Sequence, residues 1–420
     1  MLDTVFKGFS RTCVMASAAV LTAFFAEAQT FSVRPRLLPV GPNPSAIIAH
    51  DLNGNGLPDI ITADRGVMSD PRDERPANDE LSLLMAQGDL NYIKLHPSLK
   101  TDFAPYAIAV ANIDAIKWPD IIVASFLAAR HRDISLFLNK PQENLFEPFF
   151  FRAPDDHLPY FRQRDGDGAE IFTRPGLTSL VVKDINGDGL RDVITTGWSS
   201  DVLVIFPGHA EDHFDAPRFV RAPGGPRDLS LADFDKDGNT DLAVAMYANA
   251  EIALFKGDGQ GSFEETGRFN TRGRLPNRVR VADINRDGIA DIIVSHCYSD
   301  DSIVIFYGDG KFQFSVSQEI MLGTDREILE HEIRDMVVED LSGDGRPDIA
   351  VACFASGKIV VLVNESNDSV LPQRFRRENY AFDQGRPRAL CAADFTQNGK
   401  KDLAVALWDV DSVGFLLNQK

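Results

Sequence analysis

Short apolar runs rich in β-branched and aromatic residues recur along the chain, each cut off by Gly, Asp or Asn. One stretch shows the order. Arg278-Val-Arg-Val-Ala282 leads into an acidic nine-residue loop, Asp283 to Asp291, and then Ile292-Ile-Val-Ser. Ile303-Val-Ile-Phe-Tyr307, a Gly308-Asp-Gly310 turn and a last run around Phe312 to Ile320 complete the unit. Runs this short, punctuated this regularly, predict antiparallel strands and not helices. The same order repeats seven times, with loops beginning at Asp51, Asn112, Asp184, Asp233, Asp283, Asp340 and Asp394. Four strands per repeat is the pattern of a propeller blade. The expectation is an all-β, seven-bladed β-propeller of four-stranded antiparallel blades.

The ends of the repeat array predict how the ring closes. The last copy stops at Val413-Gly-Phe-Leu-Leu-Asn-Gln-Lys420, which aligns with third strands and leaves its blade one strand short. Thr30 to Val40, ahead of the first copy, reads as an unattached fourth strand. Pairing the two hides both open sheet edges. Residues 29–420 are therefore expected to form one propeller domain. Two insertions interrupt it, at about 65–80 (Arg65 to Glu80) and about 139–177 (Asn139 to Leu177). The second carries Phe146, Phe149, Phe150, Phe151, Tyr160 and Phe161, and is read either as a structured cap or as core for an outer strand.

Composition changes the picture in three ways. A chain of 420 residues, 44% hydrophobic and 25% charged, is not disordered, collagenous or coiled-coil. Its net charge of −19 excludes the basic face a nucleic-acid binder needs. Its N-terminus places Lys7 and Arg11 before an apolar run from Cys13 to Phe25 and an Ala26-Glu27-Ala28 site. That is the layout of a secretory signal peptide over residues 1–28, too short to span a membrane, and no later segment is long and apolar enough to span. A secreted, periplasmic or cell-surface monomer is expected. Cys297, Cys353 and Cys391 sit in apolar contexts and are read as buried packing residues without a disulfide framework.

The acidic loops carry the clearest chemistry. In copy four, Asp233, Asp235, Asp237 and Asp241 place oxygens at positions 1, 3, 5 and 9, with Gly238 at position 6. This alternation wraps oxygens around one hard cation, the expected ion being Ca2+. The flanks are strands and position 12 is Val244, so the loop is not an EF-hand. Copy three offers Asp184, Asn186, Asp188 and Asp192, copy five Asp283, Asn285, Asp287 and Asp291, and copy six Asp340, Ser342, Asp344 and Asp348. Copy one (Asp51, Asn53, Asn55, Asp59) and copy seven (Asp394, Thr396, Asn398, Asp402) keep two acids each and are expected to bind more weakly. Copy two is broken, with Ile116 at position 5 and Lys117 in place of Gly, and the Lys117 ammonium is expected to stand in for the ion. About five to six structural calcium sites follow; the competing reading is a plain Asx turn.

These loops, the strands that follow them and the Leu254-Phe-Lys-Gly-Asp-Gly-Gln-Gly-Ser-Phe263 hairpin resemble FG-GAP/VCBS repeats, as in the integrin α-subunit propeller and many bacterial exported proteins. The resemblance covers residues 30–420 and implies the fold and the calcium. Such propellers serve as adhesion modules, lectin-like binders and scaffolds of some polysaccharide lyases, so it implies no single function. It also implies that the calcium loops lie on one face and that partners often meet the other.

Six residues past each loop come Arg65, Phe126, Trp198, Tyr247, Cys297, Phe354 and Trp408, with Tyr298 beside Cys297. They are expected near the axis on the face opposite the loops, packed between blades by the preferred reading or stacked on sugar rings by the second. The first strands open there with Ser45, Tyr106, Thr178, Arg227, Asn277, Arg334 and Arg388. Three arginines in an acidic protein suggest an anionic ligand such as a uronate or sulfated glycan. The preferred alternative pairs them with Asp300 and Asp409. No catalytic residue is assigned. His296, His331, Tyr106 and Tyr298 are weak candidates for a base, and His209 with His213 are expected exposed in a hairpin turn. The function expected is recognition or adhesion toward a glycan or protein ligand. A polysaccharide lyase-like enzyme and a purely structural module, which would have no pocket, are the alternatives.

Overall fold

A computed structural model of the chain describes residues 29–66, 78–114, 116–126, 132–140, 145–152, 161–164, 170–173, 176–211, 213–297, 301–323, 331–366 and 371–419. All regular structure among them is strand. Seven antiparallel sheets follow one another, each ordered from first to fourth strand; six are four-stranded, and in blade one the outer edge is split into Asn91–Lys94 and Leu99–Lys100. In blade five these are Pro276–Ala282, Asp291–His296, Ser302–Tyr307 and Val316–Met321. The first strand of every blade contacts the first strands of both neighbours, all the way round. The sheets thus form a closed seven-bladed β-propeller with the first strands nearest the axis.

The second strands explain the continuous apolar runs. Asp59–Asp64, Asp120–Ser125, Asp192–Gly197, Asp241–Met246, Asp291–His296, Asp348–Cys353 and Asp402–Leu407 are buried at every position. A blade presses on a neighbour through each face, so both sides of its central strands need apolar residues. Outer strands alternate instead, as in Phe375–Ala381. The core is accordingly divided into seven clusters, one at each junction between blades. The second residue of every acidic loop (Leu52, Ile113, Ile185, Phe234, Ile284, Leu341 and Phe395) is buried in the junction with the next blade.

Closure is the one expected. Phe31–Pro39 pairs antiparallel with Ser412–Asn418, from Phe31 opposite Asn418 to Pro39 opposite Ser412, and completes the seventh blade. Blade six anchors this strand. Glu378 accepts hydrogen bonds from the Thr30 amide (2.9 Å) and hydroxyl (3.0 Å), and the Phe31 amide donates to the Tyr380 hydroxyl at 3.0 Å.

Two expectations change. Leu145–Phe151 is not insertion but the fourth strand of blade two, paired along its length with Ile134–Lys140. Phe149 and Phe151 pack on the junction with blade three, and Phe146 on that with blade one. Pro148 is tolerated because a fourth strand is a sheet edge, where a missing N–H costs no ladder bond. The insertion itself contains a two-stranded hairpin, Phe161–Arg164 with Glu170–Thr173. His209 and His213 face each other across a small hairpin and are half-buried, with the His213 ring 4.5 Å from Phe149. Residues 1–28, Tyr160, Tyr298, Asp300 and most of the first insertion lie outside the described residues. The three cysteines are free, Cys297 and Cys353 buried and Cys391 half-buried. Among the described residues no helix is long and apolar enough to cross a membrane.

Candidate functional site

The loop between first and second strands has one construction. In six copies the carboxylate at position 1 accepts the amide of position 6: Asp51 from Gly56 (2.8 Å), Asp184 from Gly189 (3.0 Å), Asp233 from Gly238 (2.9 Å), Asp283 from Gly288 (2.8 Å), Asp340 from Gly345 (2.8 Å) and Asp394 from Gly399 (2.8 Å). These glycines sit at φ of 80° to 89°, which most side chains avoid. Position 5 accepts the amide of position 7 in the same copies, through Asn55, Asp188, Asp237, Asp287, Asp344 and Asn398. The Asx-turn geometry is therefore present.

Copy four is the best candidate metal cradle. Oxygens of Asp233, Asp235 and Asp237 lie within 4.8 Å of one another, a donor set suited to a hard cation. Asp241 does not join them. The Lys256 ammonium reaches in, pairing with Asp235 and, at 2.8 Å, with Asp237. In copies three and five an amide replaces one carboxylate: Asn186 donates to Asp188 (2.8 Å) and Asn285 to Asp287 (2.9 Å). Among the other expected ligands, Asn53 accepts from the Asn55 amide, the Ser342 amide donates to Asp348, and the Thr396 hydroxyl is turned to Asp402 at 2.9 Å. Asp344 pairs with Arg346. In copy two the Lys117 ammonium lies 4.7 Å from the Trp118 ring centre, and among the described residues it makes no ion pair with Asp114 or Asp120, which does not fit the expected substitution for an ion.

The position-9 aspartates have a structural role that sequence reading missed. Asp59, Asp120, Asp192, Asp241, Asp291, Asp348 and Asp402 are all at most 1% exposed. In each, one oxygen accepts an amide from the start of its own loop, and the other accepts an amide at the end of the third strand. For Asp120 the donors are Ile113 (2.8 Å) and Asn139 (2.9 Å); for Asp291 they are Ile284 (3.0 Å) and Gly308 (2.9 Å). Burial pushes Asp59, Asp120 and Asp348 up to about 6 and Asp291 up to about 7. The signal was available: this Asp survives in copy two, where the rest of the loop pattern does not.

At the opposite end of the strands the axis opens into a cavity of about 340 Å³. Its wall contains all seven residues found six places beyond the loops, Arg65, Phe126, Trp198, Tyr247, Cys297, Phe354 and Trp408. Five first-strand residues join them, Tyr106, Arg227, Asn277, Arg334 and Arg388. Ser45 and Thr178 do not line it; each hydroxyl instead bonds a backbone carbonyl of the following blade. The aromatic arc is continuous, Tyr106 to Phe126 (5.8 Å), Phe126 to Trp198 (6.1 Å) and Trp198 to Tyr247 (6.2 Å). These rings touch one another across the blade junctions and also line the cavity.

Its electrostatics are one-sided. Four arginines line the cavity and no described carboxylate does. Arg334 pairs with Glu332, but Asp409 binds Arg386 (2.9 Å), leaving Arg227 and Arg388 without a carboxylate partner among the described residues. Arg65 is 6% exposed, its Nε without a partner among the described residues and its guanidinium 4.9 Å from the Tyr106 ring centre. Burial and the neighbouring arginines push Arg65 down to about 9. Tyr106, 3% exposed, accepts hydrogen bonds from Arg227 and, at 3.2 Å, Arg388. Burial alone would raise this phenol, yet the surrounding guanidiniums of Arg227, Arg388, Arg278 and Arg65 bring it down to about 6. His296 and His331 are buried away from this wall, bonded to Ser302 and to Leu322 and Ser356.

Comparison with known proteins agrees with this architecture. The FG-GAP-like repeat family matches residues 184–244, 233–294 and 340–405. No curated protein matches the chain. Similar solved structures include two of BBS1N in complex with ARL6DN, one soaked with lead (TM-score 0.59, 12% identity, 93% of this chain and 98% of that one) and one with mercury (TM-score 0.56, 12% identity, 92% and 98%). At such identity the likeness is one of fold. The chain carries three matched FG-GAP-like repeats within a seven-bladed β-propeller, a fold that suits a ligand-binding module.

Proposed function

We propose that this protein is an exported recognition module, braced by calcium in its acidic loops, whose axial cavity takes the acidic group of a glycan or protein ligand. The observation that carries the reading is the cavity wall: four arginines and no described carboxylate, in a chain of net charge −19. Guanidinium forks match carboxylate and sulfate geometry, and the flanking rings offer stacking faces to a sugar. A purely structural module has no need of such a wall. The convergent Asp233, Asp235 and Asp237 support calcium at copy four, where the ion would supply charge neutralisation and loop rigidity. The basic and apolar N-terminal stretch supports export.

One observation favours the enzymatic alternative. Tyr106 stands beside two arginines, the arrangement a lyase needs to neutralise a uronate carboxylate and remove the adjacent proton. Calorimetric titration of the protein in calcium with oligogalacturonate, a sulfated oligosaccharide and a neutral maltooligosaccharide tests both. Recognition predicts saturable binding of an acidic ligand and none of the neutral one, with the ligand recovered intact. Accumulation of an unsaturated, ultraviolet-absorbing product would move the assignment to the lyase. Equal indifference to all three would remove the cavity reading. A melting temperature unchanged by excess EDTA would remove the calcium.

A further inference from the structure

The charged groups around the cavity do not balance, and the imbalance has a consequence for binding. Behind the wall, Arg278 and Arg280 are matched by Asp228 and Asp335, with Arg278 to Asp335 at 2.9 Å and Arg280 to Asp228 at 2.8 Å. Arg334 is matched by Glu332. Arg65, Arg227 and Arg388 remain, converging from blades one, four and seven on a phenol from blade two. Two of them donate hydrogen bonds to its oxygen and the third lies over its ring. Hydrogen bonding to the charged form of an acid favours that form, and three uncompensated cations in a partly desolvated space favour it further. The wall holds two further titratable groups, the Tyr247 phenol and the Cys297 thiol, and burial pushes the thiol up.

We propose that the phenolic oxygen of Tyr106 and the acid group of an incoming ligand compete for Arg65, Arg227 and Arg388, so that binding an anion loads a solvent proton onto Tyr106 and is strengthened as pH falls. The inference rests on reading the cavity as an anion site. With the cavity empty, the phenolate is the internal counter-ion of the arginines. A bound carboxylate or sulfate supplies that charge instead, and the phenolate takes up one proton to become a neutral hydrogen-bond donor to the ligand.

The sign follows from linkage. Affinity is greatest where Tyr106 is already protonated. It weakens as pH rises through the titration of the empty site, by up to about tenfold per pH unit for one coupled proton. It levels off once the occupied site also ionises.

Inorganic sulfate is a suitable probe because its charge is constant across roughly pH 5 to 8, the range in which the shifted phenol titrates while an ordinary tyrosine and the lowered Arg65 do not. The expected result is a tyrosinate absorption band in the whole protein at neutral pH that shrinks as sulfate saturates, with sulfate affinity weakening toward alkaline pH. Tyr106→Phe lacks the band and binds sulfate with pH-independent affinity. Should that variant not fold, Arg388→Gln serves instead, and it shifts the appearance of the band to higher pH. Sulfate binding whose strength ignores pH, with the tyrosinate band unmoved, overturns the proton coupling and leaves the anion site standing. Absence of saturable sulfate binding at every pH overturns the anion site itself.

Discussion

The aspartate at position 9 and the acids at positions 1, 3 and 5 look alike in sequence but perform different tasks. Position 9 is buried and bridges its own loop to the end of the third strand through both oxygens, in every blade. Copy two separates the roles, since it keeps Asp120 while Ile116 and Lys117 spoil the cation pattern. Asp120→Ala leaves the amides of Ile113 and Asn139 buried without acceptors, at roughly 1–3 kcal/mol each. A stability loss of about 2–6 kcal/mol by denaturant unfolding is expected, the same with calcium or EDTA. A loss within about 0.5 kcal/mol, the usual range for surface changes, contradicts the structural role. Asp235→Ala acts oppositely: it lessens the calcium dependence and costs little in EDTA, where Asp235 holds a half-exposed lysine and one exposed loop amide.

At the scale of the strand, the seventh blade depends on Phe31–Pro39, and that strand depends on blade six. Glu378 holds the Thr30 amide and hydroxyl and also pairs with Arg376 and the Tyr380 hydroxyl. Glu378→Ala takes the acceptor away from the Thr30 amide, the Thr30 hydroxyl and the Tyr380 hydroxyl, while Arg376 keeps Glu365, so a loss of about 1–3 kcal/mol for each donor left unsatisfied is expected. The closing strand should also lose amide protection in hydrogen exchange before the other blades do. Protection that fails uniformly around the ring would argue against this latch. The closure was legible in the sequence because a blade short of one strand and an unattached strand are visible at the two chain ends. The latch was not, because Glu378 and Thr30 are 348 residues apart and neither bears a local signature. Leu145–Phe151 was misread as insertion because Pro148 and three consecutive phenylalanines break the period-two pattern, which an edge strand packed on two junctions does not need.

The whole molecule separates its charge, with carboxylates in loops on one face and arginines at the axis of the other. The ring made the wall legible, since one register position repeated in every blade must fall on one circle, and all seven residues read in that way line the cavity. The pairing within the wall was not legible. Tyr106 meets Arg227 and Arg388 across 121 and 282 residues of sequence, and only closure of the ring brings them together. Two of the three tryptophans, Trp198 and Trp408, lie in that wall, so intrinsic fluorescence reports on it directly. The most direct measurement is a fluorescence titration with oligogalacturonate of the wild type, Arg227→Gln and Arg388→Gln, each in a Trp118→Phe background. A saturable change that both arginine variants weaken about tenfold or more is expected, as the loss of a charged hydrogen bond of about 1.5–3 kcal/mol requires. A response of equal affinity in all three proteins, or no response in any, would contradict an anion site at the propeller axis.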